Sequence, residues 1–319
     1  MSTQPDTAAT GSDYESPQQA PTQPKTDDTQ QHATNVTSPE RIVADDLPPT
    51  PDYPRYRVEP GEQIRLADVD PNESEGYKKK KDVRDELEEQ SQRIGELQAR
   101  LYAERKQSML IVLQAMDTGG KDGTIKHVFE HVNPQGCQVW SFKAPSSEEL
   151  EHDFLWRYHQ KAPPQGMITI FNRSHYEDVL IVRVKNLVPE HVWRERYQMI
   201  NHFEQLLTLN NTVVVKFFLH ISKDEQKRRL ESRLEDSEKR WKFSTNDIKE
   251  RAYWDTYQIA FEDAINKCST EHAPWYVIPA NNKWYRNLVI ARTIADTLEA
   301  MDPRYPAAEQ GLENVVIPD

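Results

Sequence analysis

The stretch Met109-Leu110-Ile111-Val112-Leu113-Gln114-Ala115-Met116-Asp117-Thr118-Gly119-Gly120-Lys121-Asp122-Gly123-Thr124 decides the fold. Its first five residues are an apolar run rich in branched side chains, which predicts a buried strand. Three of the chain's ten glycines follow within five residues and surround Lys121. Residues 123–132 then carry a helical pattern. Strand, glycine turn, lysine and helix make up a P-loop. Backbone N–H groups and the positive end of the helix cradle phosphates there, and the lysine neutralises them. The match to G-x-x-x-x-G-K-[ST] is imperfect. Ala115 replaces the first glycine, and Asp122 stands in the Ser/Thr slot that normally supplies a hydroxyl to Mg²⁺.

The pattern continues on both sides of this loop. Apolar strand candidates fall at 108–115, 137–143, 167–172, 212–220 and 275–279. Helical stretches lie between and beyond them, at 123–132, 147–161, 189–209, 223–236, 246–267 and 283–300. Such alternation predicts an α/β fold, a parallel sheet with helices on both faces. Upstream, the four-lysine run Lys78–Lys81 opens a helix that continues to about Glu104, with Leu87, Ile94, Leu97 and Leu101 on its apolar face. Residues 51–75 read as an extended, Pro-containing segment wrapped on the domain, and 302–319 as a loose acidic tail. Residues 1–50 are rich in Thr, Gln, Pro, Ser and Asp, too polar to offset the entropy of ordering, and predict a disordered arm.

Charge is unevenly spread. The net formal charge is −12, yet residues 1–75 hold 15 Asp+Glu against 5 Lys+Arg, and residues 76–300 hold 33 against 34. A nearly neutral globular part argues against a duplex nucleic acid partner. Two distant cysteines suggest neither a disulfide framework nor a zinc site. No signal-peptide core and no run of 18 apolar residues is present, so a cytoplasmic protein without membrane contact is expected.

Lys121 is the expected phosphate-binding cation; the bland alternative is a surface lysine opening a helix. Asp117 could contact a metal or cap the turn. The second element is Met167-Ile168-Thr169-Ile170-Phe171-Asn172-Arg173-Ser174-His175-Tyr176-Glu177-Asp178, a buried strand running into polar residues. Ligands of doubly wound sheets bind beyond the carboxyl ends of strands. Asn172 stands where an acid is usual, Arg173 suits phosphate with pairing to a structural acid as the bland alternative, and Glu177 and Asp178 follow. His175 could polarise a phosphate or simply cap the turn, the second being the preferred reading, and Trp156 or Tyr176 could stack on a base, although core positions suit both. A mixed-charge region after the fourth strand contains Arg233, Arg240 and Lys242. Taken alone it reads as an ordinary charged helix; beside a P-loop it reads as a helical lid over about 223–260 that would shield transferring phosphates from water.

Several segments together resemble the polyphosphate kinase 2 family: VLQAMDTGGKDGTIKHVFEHVNPQG, SFKAPSSEELEHDFLWRYHQKAP, IFNRSHYEDVLIVRV, RWKFSTNDIKERAYWDTYQIAFEDAI and APWYVIPANNKWYRNL. The resemblance runs over about residues 60–300 in order. It implies a P-loop kinase-like core with a helical lid and phosphoryl transfer between inorganic polyphosphate and AMP or ADP, with Mg²⁺ or Mn²⁺. It also implies a homo-oligomer, with guanine nucleotides as a further substrate class. By that resemblance Asp117, Lys121, Arg173 and Glu177 are catalytic, and Asp117 and Glu177 hold the metal. The phosphate-binding set is Gly119, Gly120, Lys121, Asp122, Gly123, Thr124, Arg173, Arg183, Arg233, Arg240 and Lys242. The form FNRSHYEDVL, with Asn172 in place of an acid, resembles the subclass that accepts both mono- and diphosphates. The rival readings are a P-loop kinase that uses ATP on a small molecule, and a polyphosphate-binding protein without turnover.

Overall fold

The computed structural model describes residues 56–312 and 315–318. The acidic arm expected over 1–50 lies outside the described residues, as do parts of the tail. Six strands form one sheet in the order β1-β6-β5-β2-β4-β3. They are β1 (Arg57–Val58), β2 (Ser108–Ala115), β3 (Cys137–Ser141), β4 (Ile168–Asn172), β5 (Thr212–His220) and β6 (Trp275–Pro279). All neighbours run parallel except β1, which pairs antiparallel with β6. The five parallel strands match the apolar runs of the sequence. β1 was not expected; it is a two-residue edge inside the extended segment 51–75. The Val58 carbonyl accepts from Ser269 Oγ at 2.5 Å, which helps fix that segment on the sheet edge.

β2 is buried along its whole length, with β5 on one side and β4 on the other. The chain passes from β2 to β3 on one side, returns to β4, then crosses to β5 on the other. The carboxyl ends of β2 and β4 therefore form the crevice where the strand order reverses. Leu113 pairs with Asn172 across this end. The glycine loop and Arg173 are neighbours because the sheet places them there.

Helices α1 (Arg84–Glu104), α2 (Lys121–Val128) and α10 (Lys283–Ala300) pack together. The Lys78–Lys81 run is not helical throughout: Lys80–Asp82 form a 3-10 turn, and α1 starts at Arg84. Asp82 explains the delay, because Oδ2 accepts the backbone N–H groups of Lys78 and Lys79 at 3.1 Å. The helix expected over 147–161 is broken into α3 (Ser147–Leu150) and α4 (Trp156–His159). Asp153 restarts the chain: Oδ1 accepts the Leu155 N–H at 2.9 Å, and its carbonyl accepts that of Trp156 at 3.1 Å. After β4 come the 3-10 turn His175–Asp178 and the short helix α5 (Ile181–Val184), then α6 (Glu190–Thr208). α7 (Lys223–Glu235) follows β5, and the expected helix 246–267 is split into α8 (Thr245–Arg251) and α9 (Trp254–Cys268). Among the described residues, no helix is long and apolar enough to cross a membrane.

α6 buries Trp193, Tyr197, Ile200, Phe203 and Leu207 on one face, and Glu204 lies in that apolar face. Its partner is Lys216, at the middle of β5. Both side chains are fully buried. Lys216 Nζ donates to Glu204 Oε2 at 2.5 Å, to the Cys268 carbonyl at 2.6 Å and to Tyr176 Oη at 2.8 Å. Tyr176 Oη donates to Glu204 Oε1 at 2.9 Å, and His175 Nε2 lies 3.0 Å from the same oxygen. Burial works against the Glu204 charge, but Lys216 and His175 hold its carboxyl below the usual range. Burial lowers the His175 pKa, so the ring is neutral at pH 7. One buried ion pair thus ties β5, α6 and α9 to the turn that carries Glu177.

Lys216→Met leaves the Glu204 carboxylate buried without its cation. It should cost about 3–5 kcal/mol of unfolding free energy, read by urea denaturation. The double variant Lys216→Met/Glu204→Gln should recover most of that loss. Equal losses in both variants would refute the charge-pair account.

Candidate active site

The glycine loop leaves β2 at Ala115 and enters α2 at Lys121. Two of its residues have left-handed backbone, Thr118 at φ +63° and Gly120 at φ +107°. Gly120 is the N-terminal cap of α2. A Cβ at Gly120 would lie 1.9 Å from Arg286 Nη1, so both its φ and its neighbour demand glycine. At Gly119 a Cβ would lie 2.4 Å from the Ala115 Cβ. Ala115 in place of the usual glycine is therefore the wall against which Gly119 packs.

The loop is held from behind through its carbonyls. Gln226 Nε2 donates to the Asp117 carbonyl at 3.1 Å. Arg229 Nη1 donates to those of Thr118 and Gly119, each at 3.0 Å. Arg286 Nη1 donates to the Gly119 carbonyl at 3.2 Å. Arg229 also donates from Nε to Glu225 Oε1 at 2.6 Å and from Nη2 to the Ala280 and Asn281 carbonyls. All five of its N–H groups are thereby used. Arg286 is almost fully buried, and it also donates to the neutral Asn287 amide oxygen. Burial first, and the adjacent Arg229 charge second, push its pKa down. In a trans peptide the N–H points opposite its carbonyl, so the Thr118 and Gly120 N–H groups are turned away from these side chains, while the Gly119 N–H donates to the Met116 carbonyl at 2.9 Å.

In that crevice Lys121 Nζ donates to the Ala115 carbonyl at 3.3 Å. Desolvation, and then the Arg173 charge, lower its pKa to about 8, against the raising effect of Asp117, Glu177 and Asp122. Arg173, with φ +64°, follows Asn172 at the end of β4. Its Nη2 donates to Asp117 Oδ1 at 2.9 Å and its Nη1 to Glu177 Oε2 at 3.5 Å. The Glu177 charge is the main reason that its pKa is raised. Asn172 Nδ2 donates to Asp122 Oδ1 at 2.8 Å. Asn172 thus supplies a donor to the acid of the P-loop helix, where a carboxylate would repel it. Asp247 in α8 titrates higher than usual through burial and the nearby Asp117 charge, and it pairs with Arg233 at 3.7 Å. α8 accordingly faces the same charges as the loop.

Residues 77–306 match the polyphosphate kinase 2 family. The chain belongs to that family. It is 51% identical over 264 residues to the AMP/ADP-polyphosphate phosphotransferase of Meiothermus ruber, covering 82% of this chain and 99% of that one. It is 44% identical to the ADP-polyphosphate phosphotransferase of Rhodopseudomonas palustris, covering 79% and 91%. Among solved structures, polyphosphate kinase 2 from Arthrobacter aurescens TC1 superposes with a TM-score of 0.78 at 45% identity, over 81% of this chain and 93% of that one.

Within this polyphosphate kinase 2 fold, the residues expected from sequence divide into two groups. Asp117, Lys121, Asp122, Arg173 and Glu177 are brought together around Gly119 and Gly120 by the contacts above. Others have different partners. Thr124 is fully buried and its hydroxyl donates to the Gly120 carbonyl at 3.3 Å, inside the helix. Gly123 lies on the side of α2 towards Arg286, where a Cβ would meet Nη2 at 3.5 Å. Arg183 donates to Asp263 at 2.5 Å and to Tyr197, and its guanidinium covers the Trp193 ring, so it joins α5 to α6 and α9. Arg240 Nε donates to the Leu234 carbonyl at 2.7 Å. Lys242 ends the adjacent 3-10 turn, and its side chain lies outside the described residues. His175 is core rather than a turn cap, a role taken by Ser174 Oγ, which accepts the Tyr176 N–H. Tyr176 is core as well, and Trp156 stacks on His152 with centroids 4.0 Å apart.

Sequence reasoning missed Gln226 and Arg286, and read Arg229 only as one cation of the mixed-charge lid. Gln226 and Arg229 sit in a helix that reads as ordinary mixed charge, and Arg286 in an apolar helix. The legible signal was Arg286 itself, a cation two residues before the apolar run Leu288-Val289-Ile290-Ala291.

No group of three His, Cys, Asp or Glu is placed to hold a metal ion among the described residues. Asp117 and Glu177 do converge on one guanidinium. Two carboxylates fit a hard cation that takes its remaining ligands from phosphate oxygens and water.

Gly120→Ala should cost about 1–3 kcal/mol through its backbone alone, and more through the Arg286 contact. Thermal unfolding measures this, and a variant with unchanged Tm and turnover would contradict it. Lys121 gives a pH signature. A cation lowered to about 8 is partly neutral at pH 8, and a bound anion favours its charged form. Phosphate-ligand binding at pH 8 should therefore take up a proton. Calorimetry in two buffers of different ionisation enthalpy should show that uptake, and Lys121→Met should abolish it.

Proposed function

We propose that the chain transfers the terminal phosphoryl group of inorganic polyphosphate to AMP and to ADP, in a reversible exchange. The observation that carries this reading is the loop whose carbonyls are pinned by Gln226, Arg229 and Arg286, beside Lys121 and Arg173. It concentrates N–H groups and cations at one point and needs no nucleophile from the protein. The names of the Meiothermus and Rhodopseudomonas relatives supply the donor and the acceptors.

Phosphoryl transfer asks chiefly for positioning and for stabilisation of spreading negative charge. Lys121 and the loop N–H groups would hold the donor's terminal phosphate. Arg173 would lie between the two phosphate groups, exchanging part of its contact with Asp117 and Glu177 for theirs. The acceptor oxygen is already anionic, so no general base is required. The arrangement agrees with this: His175 is buried against Glu204, away from the crevice. Mg²⁺, or Mn²⁺ in its place, would be held by Asp117 and Glu177 and would screen the repulsion between donor and acceptor phosphates.

The test is a time course with polyphosphate, Mg²⁺ and AMP, resolving the nucleotides by chromatography. ADP should appear first and ATP after it, with polyphosphate as sole donor. Lys121→Ala should lower turnover by about 10²–10³-fold while leaving circular dichroism unchanged. No nucleotide phosphorylation by the wild type, or full activity in the variant, would reject the reading.

A further inference from the structure

The peptide that follows Asp117 is held from α7, and that hold depends on α8. Gln226 of α7 is almost fully buried. Its Nε2 donates to the Asp117 carbonyl at 3.1 Å, and its Oε1 accepts from Arg251 Nη1 at 2.9 Å. Arg251 is the last residue of α8, and the same Nη1 donates to the Lys223 carbonyl at 2.7 Å. A carbonyl cannot donate and a guanidinium cannot accept. The Gln226 amide therefore has one orientation that satisfies both ends, with oxygen to Arg251 and nitrogen to the loop. Without the guanidinium, that oxygen loses its donor in a buried place. Turning the amide over would set the oxygen against the Asp117 carbonyl.

The hold matters because of the residue it fixes. Thr118 is β-branched and sits at φ +63°, a conformation that such a residue keeps only under restraint. The peptides on either side of it are restrained from α7. Gln226 holds the one before, through the Asp117 carbonyl, and Arg229 the one after, through the Thr118 carbonyl. Arg229 is locked by Glu225 and by the Ala280 and Asn281 carbonyls, whereas the neutral Gln226 takes its orientation from Arg251. The neighbour of Arg251 anchors α8 in turn. Glu250 Oε1 pairs with Lys185 Nζ at 2.9 Å, and its Oε2 accepts from Tyr257 Oη at 2.9 Å. Lys185 caps the end of α5, in the segment beyond Glu177. Two adjacent residues of α8 thus reach different parts of the chain: Glu250 reaches the segment beyond Glu177, and Arg251, through Gln226, the P-loop.

We propose that Arg251 is a positioning residue for the transfer: through the Gln226 amide it fixes the Asp117–Thr118 peptide, and with it the Asp117 carboxylate that pairs with Arg173. This rests on the phosphoryl transfer proposed above. Arg251 acts through Gln226 and not on the phosphates. Its removal misplaces groups needed in the transition state, so it lowers kcat rather than nucleotide affinity.

The test is a cycle of Arg251→Met, Gln226→Met and the double variant, with polyphosphate as donor to ADP. Arg251 is half-buried, so its replacement leaves the core intact. Each single variant should lower kcat about tenfold, with KM for ADP within about twofold of wild type. The double variant should lose no more than either single one, because both substitutions break the same chain of bonds. Wild-type kcat in Arg251→Met, a loss confined to KM, or a double loss equal to the product of the single ones overturns the proposal. Hydrogen–deuterium exchange reads the loop without turnover. Amides of residues 117–121 should exchange faster in Arg251→Met than in wild type, and no faster in the double variant than in Gln226→Met. Equal exchange in wild type and Arg251→Met rejects the positioning role. A wild type that transfers nothing from polyphosphate to ADP rejects the activity reading instead, and the exchange comparison then decides the role of Arg251.

Discussion

Two buried guanidiniums behind one loop constrain the rest of this molecule. Arg229 comes from α7 and Arg286 from α10, and both donate to the Gly119 carbonyl. Turning that carbonyl inward directs the Gly120 N–H the other way. The cost is a pair of like charges brought together in the core, and Arg286 shows it in a depressed pKa. Carbonyl oxygens and the Glu225 carboxylate offset part of that cost. An anion in the loop would offset more, so the site is built to be more comfortable when occupied. The same bonds explain why α7, the β6 end and α10 meet where they do: each supplies a donor or an acceptor to one small cluster.

The Lys216–Glu204 pair plays the corresponding part on the other side of the crevice. It is fully buried and fixes Tyr176 and His175, the residues just before Glu177. Arg173, at the start of the same segment, has a backbone conformation that costs an L-residue about 1–3 kcal/mol. Strain of this kind persists only where the surroundings over-determine it. Here the surroundings are β4, which ends in Asn172, and a turn anchored to the sheet by an ion pair. The Asp117–Arg173–Glu177 triad is thus held from both strands of the reversal point.

Asn172 has a physical role in this setting. With Asp117, Asp122, Glu177 and Asp247 acting around one crevice, a further carboxylate would face Asp122 directly. The amide instead donates to it. The amide in place of an acid lowers local repulsion and leaves Glu177 as the strand's nearby acid.

The sequence by itself determined the sheet, the loop and the local chemistry of the crevice. Apolar runs and glycine spacing are local signals, so the five parallel strands, the Gly119–Lys121 turn and Asn172-Arg173 were legible without coordinates. Breaks in helices were less so: Asp153 opens a new turn by accepting the Leu155 N–H with its own carboxylate, and a periodicity window averages over such a feature. What only the tertiary structure decided is the set of partners. Arg183 and Thr124 look like phosphate ligands in a linear reading, yet one pairs with Asp263 and the other with its own helix. Arg229, Arg286, Lys216 and Glu204 look like ordinary charges, yet burial makes them the groups that shape the site. A charge's effect depends on what surrounds it, and residues more than a hundred positions apart, such as Gly119 and Arg286, become neighbours only when the sheet is closed.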